Sequence, residues 1–167
     1  MFVIGATKKL QNELKSPVRD LNDYQDVPGI YRWHANLITV KGKKCLLLMN
    51  NETGMNLTLL GLKEEQFEHL DNVIKGSLQQ LFQLLDIDKK AAYYILDATE
   101  EIAYTKTENR SVIGMMNEIK ARIDEMVHDL TYEEIDAVAL NKGNNTIPMG
   151  PLNHIDPVTA VNKYFEE

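Results

Sequence analysis

The sequence has one cysteine, Cys45, in 167 residues. A lone cysteine cannot close an internal disulfide, so a reducing compartment is its natural setting. Basic residues are also in deficit: 18 Lys and Arg stand against 25 Asp and Glu, a formal net charge of -7. That argues against non-specific binding to DNA or RNA, which rests on neutralising phosphates with cations, though a local basic patch stays open. No apolar run approaches the roughly 18 residues of a membrane-spanning helix, so no membrane partner is expected. The apolar start, Phe2-Val-Ile4, precedes Lys8 and Lys9, the wrong order for a signal peptide. A cytoplasmic location is the expectation that these absences leave.

Catalytic signatures are missing as well. His34, His69, His128 and His154 stand far apart, and Cys45 has no CxxC partner, so no metal site is expected. Ser111 lies outside any Gly-x-Ser-x-Gly elbow and lacks the context of an activated nucleophile. Ile4-Gly-Ala-Thr-Lys-Lys9 follows a strand and precedes a helix but holds a single glycine, short of a phosphate loop. Two readings of it remain: Lys8 with the helix N-terminus holds an anion, or this is a capped helix with solvated lysines. The acidic pairs Glu64-Glu65, Glu100-Glu101 and Glu133-Glu134 sit at helix starts or strand edges, where they act as dipole partners or solvated faces. No cofactor is implied, and the balance leans away from an enzyme.

What is present is an ordinary core-forming composition, 44% hydrophobic and 26% charged, in a chain of one-domain length. Phe2 to Ala6 reads as a strand, apolar throughout and therefore central. Thr7 caps a helix from Lys8 to Lys15, and residues 16–29 form a long loop punctuated by Pro17 and Pro28. Residues 31–40, 44–49 and 55–60 read as an antiparallel meander. In its first strand Trp33, Ala35 and Leu37 share one face, and His34, Asn36 and Ile38 the other. A helical stripe runs from Lys63 to about Asp86, and Asp88 caps a helix to Ala98. Glu101 to Lys106 is the fifth strand. Thr131-Tyr-Glu-Glu134 fits a capping box opening a helix to about Leu140. Residues 141–151 read as a loop, and Pro157 starts a last helix. The expected fold is a single α+β domain over 1–167, with a five-stranded, largely antiparallel sheet and helices covering one face.

The best-marked helix spans 107–130. Val112, Met116, Ile119, Ile123, Met126 and Leu130 recur at helical spacing and make an apolar stripe. The sheet is expected to meet it through Trp33 or Leu37. Nearly opposite runs a stripe of Arg110, Gly114, Asn117 and Ala121. Glycine in a helix interior costs about 1 kcal/mol relative to alanine, so a backbone or ligand is expected to pass close to Gly114. The corner Asn109-Arg110-Ser111 is the leading candidate site: free N–H groups, a guanidinium and a hydroxyl can bind a phosphate or carboxylate. The competing reading, preferred narrowly, makes Arg110 a buried clamp on a carboxylate or on loop carbonyls.

Ala6-Thr-Lys-Lys-Leu10, Trp33-His-Ala-Asn-Leu37, Asn50-Asn-Glu-Thr53, Thr107-Glu-Asn-Arg-Ser-Val-Ile-Gly-Met-Met-Asn117 and Gly150-Pro-Leu152 stand in an order that resembles domain of unknown function 6933, a set of small bacterial proteins. The resemblance covers nearly the whole chain and implies a single compact mixed domain. It implies no activity, cofactor or substrate class. The family usually carries tyrosine where this chain has His34, which argues against His34 as a general base.

Two functions follow. In the first, the chain is a non-catalytic binding or regulatory module acting through a protein partner, a regulator or a defence-related factor. In the second, it binds or processes a nucleotide or RNA through Asn109, Arg110, Ser111, Asn117 and Lys8, with Trp33 and Asn36 nearby.

Overall fold

Strand β1 (Phe2–Ala6) is buried at every position and paired on both sides, parallel to β2 (Arg32–Val40) and to β5 (Ile102–Lys106). In this computed structural model, which describes residues 1–166, β2 continues antiparallel into β3 (Lys43–Asn50) and β3 into β4 (Asn56–Leu59), giving the order β4-β3-β2-β1-β5. The sheet is therefore mixed, not largely antiparallel. The meander is local, and its turns fix its pairing. The parallel pairs need crossovers, through residues 7–31 and 60–101.

Seven α-helices are described: α1 (Lys8–Gln11), α2 (Glu64–Glu68), α3 (Leu70–Leu84), α4 (Lys89–Ala98), α5 (Arg110–Met126), α6 (Ala137–Asn145) and α7 (Pro157–Tyr164). The stripe expected as one helix over 63–86 breaks at His69, where φ is -123° and ψ 35°. The loop over 16–29 is partly built: residues 21–24 make a 3-10 turn capped by Asp20, and Val18 and Arg19 lie along the outer edge of β5, with Arg19 N–H donating to Tyr104 O at 2.7 Å.

Helices cover both faces of the sheet, not one. On the first face, Phe2, Ile4, Trp33, Ala35, Leu37, Leu46, Leu48 and Leu57 pack with α1, α3, α4 and α7. Trp33 stacks on Phe2, ring centroids 5.2 Å apart, so Trp33 and Leu37 face away from α5. On the second face, Ile38, Cys45, Leu47 and Met49 meet Val112, Met115, Met116, Ile119 and Ile123 of α5. Burying each such side chain contributes roughly 1.5–3 kcal/mol as an upper bound. Met126, expected in that stripe, is exposed. Tyr104 ties β5 to α3: its buried hydroxyl donates to Asp71 Oδ1 at 2.6 Å.

The capping box forms, with Thr131 N–H donating to Glu134 Oε1 at 2.9 Å, but it closes only a 3-10 turn, Tyr132–Glu134. The helix proper is α6, begun by Asp136, whose carboxylate accepts from Ala139 N–H. It runs into the stretch read as loop.

Candidate functional site

The register places Ala6 beside both Ala35 and Lys106, so the turns leaving β1 and β5 stand next to each other at one end of the sheet. Asn109 caps α5: its Oδ1 accepts from Ser111 N–H at 3.0 Å and Val112 N–H at 3.2 Å. Arg110 and Ser111 follow, both exposed. Across the turn, Lys8 opens α1 and is exposed, while Thr7 donates its hydroxyl to Asn36 Oδ1 at 2.7 Å. Five candidates, Lys8, Asn36, Asn109, Arg110 and Ser111, thus gather at one sheet end. Two do not join them. Trp33 is buried on the opposite face, and Asn117 lies two turns along α5.

The second stripe of α5 faces solvent: Arg110, Gly114, Asn117 and Ala121 are all exposed, and a Cβ added to Gly114 would meet nothing within 4 Å. Among the described residues no backbone passes close to Gly114, and Arg110 is exposed and not a buried clamp.

Beside this corner lies a polar cluster that the sequence marked only through His34. The imidazole is buried, its Nδ1–H donating to Asn51 Oδ1 at 2.8 Å while Nε2 accepts from Glu108 N–H at 3.3 Å. Burial, with the nearby Arg32 guanidinium adding to it against the Asn51 bond, pushes its pKa below the usual histidine value. Arg32 pairs with the Glu108 carboxylate. Both imidazole nitrogens are spent on neighbours, so His34 pins the β5–α5 turn to the sheet as a neutral ring. No sequence pattern links Arg32, Asn51 and Glu108.

An apolar opening lies elsewhere, between β4, α3 and α6. It is a groove of about 280 Å³ lined by Leu57, Leu59, Leu81, Leu84, Val138 and the polar Gln80, among others. Its α6 wall is fixed by two side-chain amides. Asn141 Oδ1 accepts from Thr58 N–H at 2.8 Å and its Nδ2 donates to Thr58 O at 3.0 Å. Asn145 does the same for Asn56, both bonds 2.8 Å. The sequence signal was there, asparagines four apart, but nothing in it named the strand they meet.

Among the described residues no group of three or more His, Cys, Asp or Glu side chains is placed to hold a metal ion, and no helix is long and apolar enough to cross a membrane. Cys45 is buried, and burial raises its thiol pKa.

A family model described as "Domain of unknown function (DUF6933)" matches residues 3–160. No curated protein and no solved structure matches the chain.

Proposed function

Because the chain belongs to the family described as a domain of unknown function, DUF6933, its role has to be read from its own surface, and we propose that it is a non-catalytic binding module that docks a protein partner in the groove between β4, α3 and α6. One observation carries this: an open, leucine-lined groove with Val138 at its lip, 57% exposed. A single exposed valine would need no explanation, but Val138 continues the leucine lining of the groove, and contiguous exposed apolar surface marks interaction sites. The groove's volume suits one or two apolar anchor residues, the kind of contact that dominates protein interfaces. Its α6 wall is held by the four hydrogen bonds that Asn141 and Asn145 make to β4 and by a fifth from Asn56 Nδ2 to Asn144 O, so little ordering remains to be paid for on docking.

The test is co-purification from the native host, with tagged wild type compared with Val138→Glu. A protein retained by the first and lost by the second, at equal melting temperatures, supports the reading. A partner retained equally by both overturns it.

A second reading, a nucleotide or RNA ligand at Asn109-Arg110-Ser111, is favoured by a different observation. β1 and β5 are adjacent parallel strands, and the helices that follow them pack on opposite faces of the sheet. In open sheets ligands bind beyond the carboxyl ends of strands at such a switch point. Raised urea midpoints of the wild type on adding phosphate or nucleotide, absent in Arg110→Ala, would support it. No response in either protein removes it.

A further inference from the structure

We propose that the exposed face of α4 is a self-association surface, on which a second copy of this chain packs α4 antiparallel to α4 about a two-fold axis near Tyr93. This goes beyond the groove reading and uses a different surface.

Three observations meet on this helix. The first is an exposed aromatic cluster. Tyr93, Tyr94 and Tyr164 are 63%, 45% and 44% exposed. The rings are held in place: Tyr93 meets Tyr94 edge-on at 5.6 Å, Tyr94 stacks on Phe165 at 5.7 Å and 5°, and Phe165 meets Tyr164 at 5.1 Å. Ordered aromatic surface of this kind is what protein interfaces concentrate.

The second is the order of charge along α4. Lys89 and Lys90 occupy its first turn and Asp97 its last. A helix macrodipole favours the opposite arrangement, anions at the N-terminus and cations at the C-terminus. In an isolated α4 the two lysines, partly offset by the N-cap Asp88, and the aspartate of the last turn therefore each stand at the unfavourable end. An antiparallel neighbour reverses this, because each N-terminal end, with its lysine, then faces a C-terminal end with its aspartate.

The third is symmetry. Tyr93 lies four residues from Lys89 and four from Asp97, and residues at that spacing share one helix face. A two-fold axis at Tyr93 sets Lys89 of one copy opposite Asp97 of the other, and the reverse pair forms by the same operation. That is the self-complementarity an isologous interface requires. Glu100, next along the face, is already paired with Lys75 of α3, so the pairing rests on Lys89 and Asp97.

Sedimentation velocity on the full chain over a concentration series tests this. The wild type is expected to dimerise, and more weakly as salt is raised. Lys89→Glu and Asp97→Lys each place like charges across the axis and are expected to raise the dimer dissociation constant about tenfold or more. The exchange variant carrying both changes restores opposite charges across the axis and should recover the dimer. Tyr93→Ala should weaken it without any change of charge. All three positions are exposed, and a circular dichroism melt checks that each variant folds. A wild type monomeric at its highest soluble concentration overturns the proposal. So does a dimer indifferent to both single changes, or an exchange variant that stays monomeric.

Discussion

The ring of His34 lies against Gly5: a Cβ built on Gly5 would stand 3.1 Å from Nε2 and 3.2 Å from Cδ2 of the imidazole. Gly5 and His34 are register partners on the parallel strands β1 and β2. The missing side chain makes room for the imidazole to reach over the central strand and accept from the Glu108 amide. A glycine in a strand often marks such a close approach.

This arrangement implies a pH dependence. The folded state holds His34 neutral, its pKa lowered from 6.5, while the unfolded chain takes up the proton at the ordinary value. As pH falls through about 6.5 the unfolded state binds more protons, so stability falls with pH until the depressed folded value is reached. Above 6.5 the contribution is complete and flat. The check is the difference in urea midpoint between wild type and His34→Gln across pH 5 to 8, in which carboxylate titrations common to both proteins cancel. The wild type's advantage should shrink below pH 6.5. A constant difference would mean that the ring protonates freely in the fold.

Gly114→Ala should stabilise the protein by about 0.5–1 kcal/mol. The added methyl meets nothing, and alanine restrains the unfolded chain and favours the helix. A raised thermal midpoint is expected. A lowered one would mean that the face is covered in solution.

Arg110→Lys should leave the urea midpoint within about 0.5 kcal/mol of wild type, as exposed substitutions away from caps and cores generally do. The guanidinium is exposed, so no buried acceptor is left unpaired by its loss. A large drop would restore the clamp that the sequence favoured.

The local elements were legible in the sequence, and their assembly was not. β1, the meander, β5 and α4 follow from runs, turns and spacings a few residues long. Which face of β2 meets α5 did not follow, because both faces are buried: Trp33, Ala35 and Leu37 on one, His34 and Ile38 on the other. Alternation defines two sets without saying which helix covers each. The parallel pairing of β1 with β2 and β5 is set by long crossovers, which leave no local mark. Asn141, Gly143, Asn144 and Asn145 have weak helix propensity, and their helix exists because of what Asn141 and Asn145 bind. At the candidate site, a helix start near 107–109 was readable but the choice of Asn109 as its cap was not, and neither was the Arg32-His34-Asn51-Glu108 cluster, since its members come from three separate segments.

That helix gives the sharpest expectation. β4 is an edge strand, and an edge exposes unpaired N–H and C=O groups on alternate residues. Residues four apart on a helix rise about 6.0 Å, and residues two apart on a strand about 6.6–6.8 Å. Asn141 and Asn145 therefore meet Thr58 and Asn56 in step, and each amide supplies the donor and acceptor of a missing strand. Asn145→Ala leaves the Asn56 N–H and C=O unpaired and should cost about 2–4 kcal/mol, given roughly 1–3 for each buried group left without a partner. Asn145→Asp keeps an acceptor for the Asn56 N–H but loses the donor to Asn56 O and to Asn141 O, and it buries a negative charge beside two carbonyls. At pH 7 it should be at least as damaging as alanine. The aspartate's pKa would be raised in the fold, so its penalty should ease as pH falls through that value, where a protonated carboxyl again donates as the amide did. Urea midpoints of wild type, Asn145→Ala and Asn145→Asp at pH 7 and pH 4.5, each variant referred to wild type at the same pH, decide the matter. Recovery at pH 4.5 confined to the aspartate variant confirms the amide-for-strand pairing; equal deficits at both pH values would mean that β4 is held by packing alone.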